Sequence, residues 1–223
     1  MLVGRSMHDQ WLSNAYVLGD APGGTAVFVD SGAPLAPLLE LVERERLTPT
    51  HLLRTHDHHD HVEHEEELCE RFGIKVVMGD LVTGDLNVRA IALPGHSDDG
   101  LAFVVNDAIC FSGDVLFKDA VGGGPADVVQ HSVMEGLMTL APDLRVLPGH
   151  TEETTIGREW DHNPFVTYWR GIVPSLGEAV TVAGDEAELV VWSPDYDGNG
   201  KALVHFADGR EAIVGGSRVA RSS

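Results

Sequence analysis

The chain contains few of the residues that mark secreted, disulfide-rich or membrane proteins. Cys69 and Cys110 are its only cysteines among 223 residues. Two cysteines do not make a disulfide framework, and we expect both thiols to be reduced. No apolar run is long enough to cross a membrane or to act as a secretory signal. We therefore expect a cytoplasmic protein without a membrane partner.

Lysine is also scarce, since Lys75, Lys118 and Lys201 are the only three. The 15 basic and 35 acidic residues give a formal net charge of −20. Phosphate contacts need clustered lysine and arginine, so a nucleic-acid partner is disfavoured. Bound metal ions would neutralise part of this acidity, so the net charge does not exclude a small anionic substrate. We expect a small-molecule substrate, and assembly into a homo-oligomer is also compatible with the sequence.

Length and hydrophobic pattern predict an α/β protein. A chain of 223 residues with 43% hydrophobic content can form one sizeable core, which fits a catalytic domain with an appendage. Apolar runs predict strands, and apolar residues at helical spacing predict helices between them. The predicted strands are 25–29, 50–54, 74–78, 101–105 and 108–111, and the predicted helices are 34–45, 62–72 and 131–140.

The tail of the chain has a different pattern. Strands are predicted at 188–192, 201–206 and 211–214, separated by strong turn sequences. We expect a catalytic domain over 1–180 and a small β-meander over 181–223, packed on that domain or on a second subunit. Asp195, Asp197 and Asn199 alternate as in a calcium loop, but position 206 is Phe rather than Glu, so we predict a turn.

Residues 55–61, with the sequence THDHHDH, are the most informative stretch of the chain. They place His56, His58, Asp60 and His61 within six residues, directly after a predicted strand. His56 and His58 can turn to one metal ion, while Asp60 and His61 at the start of the next helix face a second ion. The alternative is a histidine-rich loop in solvent.

Three further candidate ligands argue against a histidine-rich loop in solvent. His96, Asp114 and His150 each follow an apolar strand that ends in glycine, and glycine permits a sharp turn with the backbone close to an ion. Donors at the same end of neighbouring strands should converge on one edge of a sheet. The sequence therefore predicts a metal site assembled from four separate segments.

In this combination of motifs the chain resembles the metallo-β-lactamase fold superfamily and, more narrowly, its glyoxalase II-like branch. The similarity covers about residues 12–170, and order, type and approximate spacing agree. The matching motifs are HxHxDH at 56–61, PGH at 94–96, SGDVLF at 112–117, LPGHT at 147–151, TTIGRE at 154–159 and NPF at 163–165.

The resemblance implies a four-layer αββα sandwich with a dinuclear metal site at one edge. One ion would be held by His56, His58 and His96. The other would be held by a second set of three residues, with one carboxylate bridging both ions. This second set is Asp60, His61 and His150, and the bridging residue is Asp114. The expected cofactors are two divalent ions, zinc first, with iron or manganese as alternatives.

The function implied is hydrolysis of a thioester, ester or lactone by a bridging hydroxide. Asp60 is the expected catalytic residue, because its carboxylate can both bind a metal and orient the hydroxide. Asp30 is either a carboxylate that supports a ligand histidine or a turn residue. The alternative function is that of a mononuclear iron persulfide dioxygenase of the same fold, which resembles the chain through His56, His58, His96 and Asp114.

The chain departs from glyoxalase II where the substrate binds. The Gly-Arg that commonly follows the GD-x-LF element is absent, and residues 118–125 read KDAVGGGP. The basic helical domain that holds glutathione is replaced by the acidic tail. Only Lys118, Arg158 and Arg170 are cations that could meet a substrate carboxylate. We therefore expect poor activity on S-lactoylglutathione compared with a less charged thioester or lactone.

Overall fold

Strands that are apolar on both faces form the centre of the molecule. The computed structural model describes residues 1–221. Its first sheet has antiparallel pairs at the N-terminal edge and parallel pairs beyond the third strand. Its strands, numbered along the chain, are β1 (Leu2–Met7), β2 (Asn14–Gly19), β3 (Thr25–Val29), β4 (Thr48–Leu53) and β5 (Lys75–Val77).

A second sheet packs face to face on the first. Its strands are β6 (Leu81–Thr83), β7 (Leu86–Ala92), β8 (Leu101–Val105), β9 (Ile109–Gly113), β11 (Arg145–Pro148) and β12 (Thr154–Thr155). Their order in the sheet is β12-β11-β9-β8-β7-β6, with β9 and β11 parallel and the other pairs antiparallel.

Helices cover the outer faces of both sheets. Along β2, Tyr16 and Leu18 pack in the core between the sheets, whereas Ala15 and Val17 pack against helices. This alternation produces the four layers of an αββα sandwich, as predicted. The helices are α1 (Ala36–Glu45), α2 (His59–Val62), α3 (Glu65–Phe72), α4 (Ala126–His131), a π-helical segment (Ser132–Leu137), α5 (Ile156–His162) and α6 (Pro164–Trp169).

The tail forms a third, antiparallel sheet with a two-residue strand from the preceding region. Its elements are β10 (Gly124–Pro125), β13 (Glu178–Val182), β14 (Asp185–Ser193), β15 (Lys201–Phe206), β16 (Glu211–Gly215), a 3-10 turn (Gly216–Arg218) and β17 (Val219–Arg221). One face has its own small core, and the other joins the core under α4 to α6. The predicted β-meander is thus present and packs on its own chain. Residues 222 and 223 of the predicted extension lie outside the described residues.

Two predicted helices differ from the structure. The helix expected over 62–72 is two helices, because the His64 amide donates to the Ser31 carbonyl at 3.1 Å instead of continuing α2. The helix expected to begin at His131 begins at Ala126, directly after Pro125. The glycines before Pro125 favour a loop, so the start of this helix was not predicted. Strands β1 and β2 were not predicted.

The fold brings the predicted ligand loops to one end of the sandwich. They follow the carboxyl ends of β4 in the first sheet and of β7, β9 and β11 in the second. The expectation of a single sheet edge was therefore incomplete, since both sheets contribute. Within residues 1–221 no helix is both long enough and apolar enough to span a membrane.

Candidate metal centre

All seven predicted ligands lie together at this end of the sandwich. Their donor atoms form overlapping groups, and within each group the atoms lie within 4.8 Å of one another. The groups are His56 with His58 and His96, His56 with His61 and Asp114, and Asp60 with His61 and His150.

The first group, His56, His58 and His96, is called the nitrogen triad below. His56 Nε2 lies 3.1 Å from His58 Nδ1, and His58 Nδ1 lies 3.0 Å from His96 Nε2. Nitrogens on a tetrahedral zinc ion lie about 3.3 Å apart, given Zn–N bonds of about 2.0–2.1 Å. The spacing therefore fits three nitrogens that face one ion. His56 is buried, whereas His58 is exposed.

The second group, Asp60, His61 and His150, is called the mixed triad. Asp60 Oδ2 lies 3.7 Å from His61 Nε2 and 3.5 Å from His150 Nε2. Both imidazoles are buried, and only the Asp60 carboxylate is partly exposed, at 28% of its side chain. The mixed triad thus presents a single side chain towards solvent.

Asp114 lies between the two triads. Its Oδ1 is 3.3 Å from His61 Nε2, and its Oδ2 is 3.3 Å from His150 Nε2 and 3.5 Å from His96 Nε2. One carboxylate therefore approaches donors of both groups. This is the arrangement required of a bridging ligand.

The donor set fits divalent metal ions. His61 Nε2 and Asp114 Oδ1 are buried and have no hydrogen-bond partner among the described residues. Buried polar atoms are normally satisfied, so atoms like these need another partner. Imidazole and carboxylate groups at these distances are the ligands that zinc, iron and manganese accept in proteins.

Asp30 supports the mixed triad. Its Oδ2 accepts hydrogen bonds from His61 Nδ1 at 2.9 Å and from Thr55 Oγ1 at 2.8 Å, and its Oδ1 accepts from the Thr55 amide at 2.8 Å. The bond to Nδ1 fixes the His61 tautomer and leaves the lone pair of Nε2 free to bind a metal ion. Of the two interpretations left open by the sequence, support of a ligand histidine is the one the contacts favour.

Burial and charge give the two triads different proton affinities in the metal-free protein. Burial lowers the pKa of His56 to about 4 and also lowers that of His96. Burial alone would lower the pKa of His61, but the charges of Asp114 and Asp30 and the hydrogen bond to Asp30 outweigh it and raise that pKa well above its usual value. Burial would raise the pKa of Asp114, yet His150 and His61 hold it well below its usual range.

Two glycines allow the loops to approach the donors. A Cβ atom at Gly149 would overlap Asp114 Oδ1 and lie 2.8 Å from His61 Cε1. Gly113 has a φ of +51°, and a Cβ there would lie 2.8 Å from Thr55 Cβ. Glycine therefore permits the close approach that the sequence pattern indicated.

The N-terminal strands hold the His150 loop in place, a contribution that the sequence did not reveal. Asn14 Nδ2 donates to the carbonyl oxygens of Pro148 and Thr151 at 2.9 and 3.0 Å. The Tyr16 hydroxyl also donates to the Pro148 oxygen, at 2.7 Å. Single polar residues inside strands have no periodic signal, so no sequence pattern pointed to them.

The tail supplies an aromatic ring to the site. Tyr196 stacks on His150 with ring centroids 3.9 Å apart and an interplanar angle of 6°. Tyr196 lies in the segment predicted as a turn, which the structure confirms, since the Gly198 amide donates to the Asp195 carbonyl. No sequence pattern places this turn beside His150.

The three cations considered from the sequence are engaged with other groups. Lys118 Nζ lies 2.5 Å from Glu152 Oε2. Arg158 contacts Asp119 and Glu159 at 2.8 and 2.6 Å. These two pairs reduce the positive charge available to an anionic substrate.

Arg170 stacks on the ring of Trp160, with its guanidinium carbon 3.8 Å from the ring centroid. Its Nη1 also donates to the Trp160 carbonyl oxygen at 2.5 Å. Both contacts tie this side chain to the surface of α5.

Comparison with known proteins shows which family the chain is similar to. Residues 8–87 match the family model described as the metallo-beta-lactamase superfamily. A solved structure of ETHE1 from Myxococcus xanthus is similar with a TM-score of 0.66 and 28% identity, over 74% of this chain and 84% of that one. The chain is similar to the metallo-β-lactamase superfamily in sequence over residues 8–87 and in fold over about three quarters of its length. The fold and the resemblance predicted from the sequence are thus confirmed.

Two curated relatives of this chain have descriptive names. The probable metallo-hydrolase YqgX of Bacillus subtilis is 28% identical over 196 residues, which are 69% of this chain and 92% of that protein. Hydroxyacylglutathione hydrolase GloC of Haemophilus influenzae is 26% identical over 184 residues, 63% of this chain and 87% of that one. Metallo-hydrolase relatives support an enzyme.

Proposed function

We propose that the protein is a dinuclear metal-dependent hydrolase that cleaves a thioester, ester or lactone. The observation that carries the proposal is the position of Asp114, within 3.5 Å of donors in both triads. A site for one ion would need only one complete triad. Zinc is the first candidate metal, with iron or manganese as alternatives.

Each side chain then has a stated role. The nitrogen triad would hold one ion, the mixed triad the other, and Asp114 would be shared. Such ions, when bound, would supply Lewis acidity: they would lower the pKa of water towards about 7 and would polarise a carbonyl group. Asp30 keeps His61 in the tautomer that binds through Nε2.

Asp60 is proposed as the catalytic carboxylate. It is the one member of the mixed triad that is not buried, so it faces the side from which substrate arrives. A carboxylate there can accept the proton of the attacking group and hold that group in line with the carbonyl carbon. Its role in metal binding and its role in orientation are compatible, because a carboxylate has two oxygens.

Charge supports a substrate with little negative charge. Lys118 and Arg158 are paired with carboxylates, and Arg170 stacks on Trp160. Glutathione carries two carboxylates, so S-lactoylglutathione should bind less well than a thioester or lactone without them. Thiolate leaving groups also need little acid assistance, which suits a site without a strong acid beside the metal ligands.

A mononuclear iron persulfide dioxygenase is the second candidate. Similarity to ETHE1, which represents this alternative, favours it, and so does the approach of His96 to Asp114 at 3.5 Å. The complete mixed triad favours the hydrolase, because one iron ion would leave it unused.

The test is a substrate panel with metal-loaded protein. We expect hydrolysis of an uncharged acyl thioester and of a lactone, with kcat/KM for S-lactoylglutathione below the efficient range of about 10⁴–10⁸ M⁻¹s⁻¹. Asp114→Ala prepared in parallel controls for contaminating hydrolases. Efficient cleavage of S-lactoylglutathione would restore glyoxalase II as the function. Oxygen uptake with glutathione persulfide, without hydrolysis of any ester, would replace the hydrolase with the dioxygenase.

The remaining proposals concern organisation and location. We propose residues 1–180 as the catalytic domain and 181–223 as the extension, with the first tail strand of the third sheet, β13, beginning slightly earlier, at Glu178. A cytoplasmic location agrees with Cys69 and Cys110, which are both free thiols.

A further inference from the structure

A pocket of about 520 Å³ opens beside the mixed triad. Its wall is built from three distant parts of the chain: the N-terminal segment with Met7 and Leu12, the loops at 118–119 and 151–152, and the tail loop at 194–196. Thr151 directly follows His150, and Tyr196 in the pocket wall stacks on the His150 ring, so the pocket adjoins the mixed triad. Small-molecule sites commonly enclose about 300–1,000 Å³.

Tyr196 belongs to both the pocket and the metal centre. One face of its ring stacks on His150, and the residue also lines the pocket. Its hydroxyl makes no hydrogen bond to another residue in the part of the chain that is described, 1–221. A tyrosine hydroxyl carries its proton at neutral pH and is a good donor. It is thus available to a bound ligand.

The tail holds this ring in a defined position. Asp195 forms a buried ion pair with Lys201 at 2.9 Å, and the Tyr196 amide donates to Asp195 Oδ1 at 2.9 Å. The Ser193 hydroxyl donates to the Asp119 carbonyl, which ties the loop to the pocket wall on the catalytic domain. The position of Tyr196 is therefore fixed from both sides of the tail loop.

The charges around the pocket are mostly neutralised. Each carboxylate that lines it has a cationic partner, and the pairs are Glu152 with Lys118, Asp119 with Arg158 and Asp195 with Lys201. Arg5 also lines the pocket and has no carboxylate partner among residues 1–221; its Nε donates to Asn14 Oδ1 at 2.8 Å and its Nη2 contacts Met7 Sδ at 3.5 Å. The remaining contact surface includes the side chains of Met7 and Leu12 and the ring of Tyr196. Such a lining suits an uncharged, apolar chain.

We infer that this pocket binds the acyl chain of the substrate and that Tyr196 determines which chain lengths are accepted. The inference rests on the proposed function, because it takes the scissile carbonyl to lie at the metal centre. The acyl chain then extends past His150 along the ring of Tyr196 towards Leu12. The tail sheet contributes a substrate-binding residue to the site in addition to packing on it.

The test measures binding without turnover. Isothermal titration of the metal-loaded full chain with butanoate, hexanoate and octanoate, the carboxylate products of acyl transfer to water, gives a dissociation constant for each length. A fully buried methylene strengthens binding about fourfold. We expect octanoate to bind at least about tenfold more tightly than butanoate, since the chain is partly exposed.

Three variants separate the roles of the ring, the hydroxyl and the pocket wall. Tyr196→Ala should reduce the octanoate-to-butanoate ratio to about threefold or less, because the apolar wall is removed. Tyr196→Phe should keep the ratio and weaken all three carboxylates equally, since only the hydroxyl is lost. Leu12→Asn should also reduce the ratio, and Asn tolerates the positive φ of 58° at this position. Tyr168→Phe, outside the pocket, is the matched control.

The outcomes distinguish the pocket from the hydrolase. A wild-type protein that binds all three chains equally, or a Tyr196→Ala variant with the wild-type ratio, overturns the inference. If Tyr196→Ala loses metal, Leu12→Asn decides, and a wild-type ratio there overturns it too. Length discrimination through Tyr196 in a protein that hydrolyses no ester would leave the pocket standing and refute the proposed function. Hydrolysis without length discrimination would do the reverse.

Discussion

The two halves of the metal centre are built differently. The nitrogen triad has three imidazoles in close contact, one of them exposed, and burial keeps the pKa of His56 and His96 low. The mixed triad is more enclosed and has a raised pKa at His61. It is supported by Asp30 on one side and covered by Tyr196 on the other. The difference indicates that His56 and His96 of the nitrogen triad can accept a metal ion without losing protons, whereas metal binding by the mixed triad depends on its neighbours Asp30 and Tyr196.

Asp114 approaches donors of both triads, so its loss should affect metal binding in the two triads alike. We expect Asp114→Ala to weaken metal binding in both triads and to lower kcat/KM about a thousandfold or more, since metal ions supply several kcal/mol of transition-state stabilisation. Elemental analysis with a hydrolysis assay measures both effects. Loss of one ion with the other fully retained would show that Asp114 does not bridge.

Asp60 tests whether the mixed triad does chemistry as well as bind metal. Asp60→Asn should lower kcat by about 10²-fold or more, in the range of general acid–base catalysis, with a much smaller change in KM. Asp57→Asn is a matched control, because Asp57 is an exposed carboxylate in the same loop. A rise in KM at unchanged kcat would assign Asp60 to substrate binding instead.

Asp30 tests the dependence of the mixed triad on its neighbours. Asp30→Asn removes the acceptor of the His61 Nδ1 proton and should weaken metal binding in the mixed triad about 10- to 100-fold, while the nitrogen triad keeps its affinity. Competition with a chromophoric chelator resolves the two affinities. Equal weakening of both ions would contradict the division described here.

Proton release should also differ between the halves, although the effect is small. The raised pKa of His61 favours the doubly protonated ring, whose Nε2 proton must leave when a metal binds, so affinity in the mixed triad should increase as pH rises towards that pKa. His56, with a pKa of about 4, is already neutral there. Titration calorimetry in buffers of different ionisation enthalpy counts the protons. Equal release from both ions would remove this distinction.

Much of the site was predictable from sequence because its signals are local. His96, Asp114 and His150 each follow an apolar strand and a glycine, and the fold brings these strand ends together. Chain-distant contacts have no such signal. The hydrogen bonds of Asn14 to the His150 loop and the stacking of Tyr196 on His150 join residues more than 40 positions apart, and each is a single residue in an ordinary strand or turn.

The same limit explains what was missed in the fold. The short strands β10 and β12 have two residues each and exist only through pairing with β16 and β11. Helix α2 ends early because the His64 amide donates to Ser31, on a different part of the chain. In both cases tertiary contacts determine the local structure, and the periodicity of apolar residues along the sequence does not predict such contacts.

Metal stoichiometry is the most direct test of the central claim that the two triads and Asp114 form a dinuclear centre. The full chain would be reconstituted with excess zinc, freed of loosely bound metal by gel filtration, and measured by elemental analysis against protein concentration. The account predicts two ions per chain. One ion per chain after reconstitution with excess zinc, and again with ferrous iron, would contradict it.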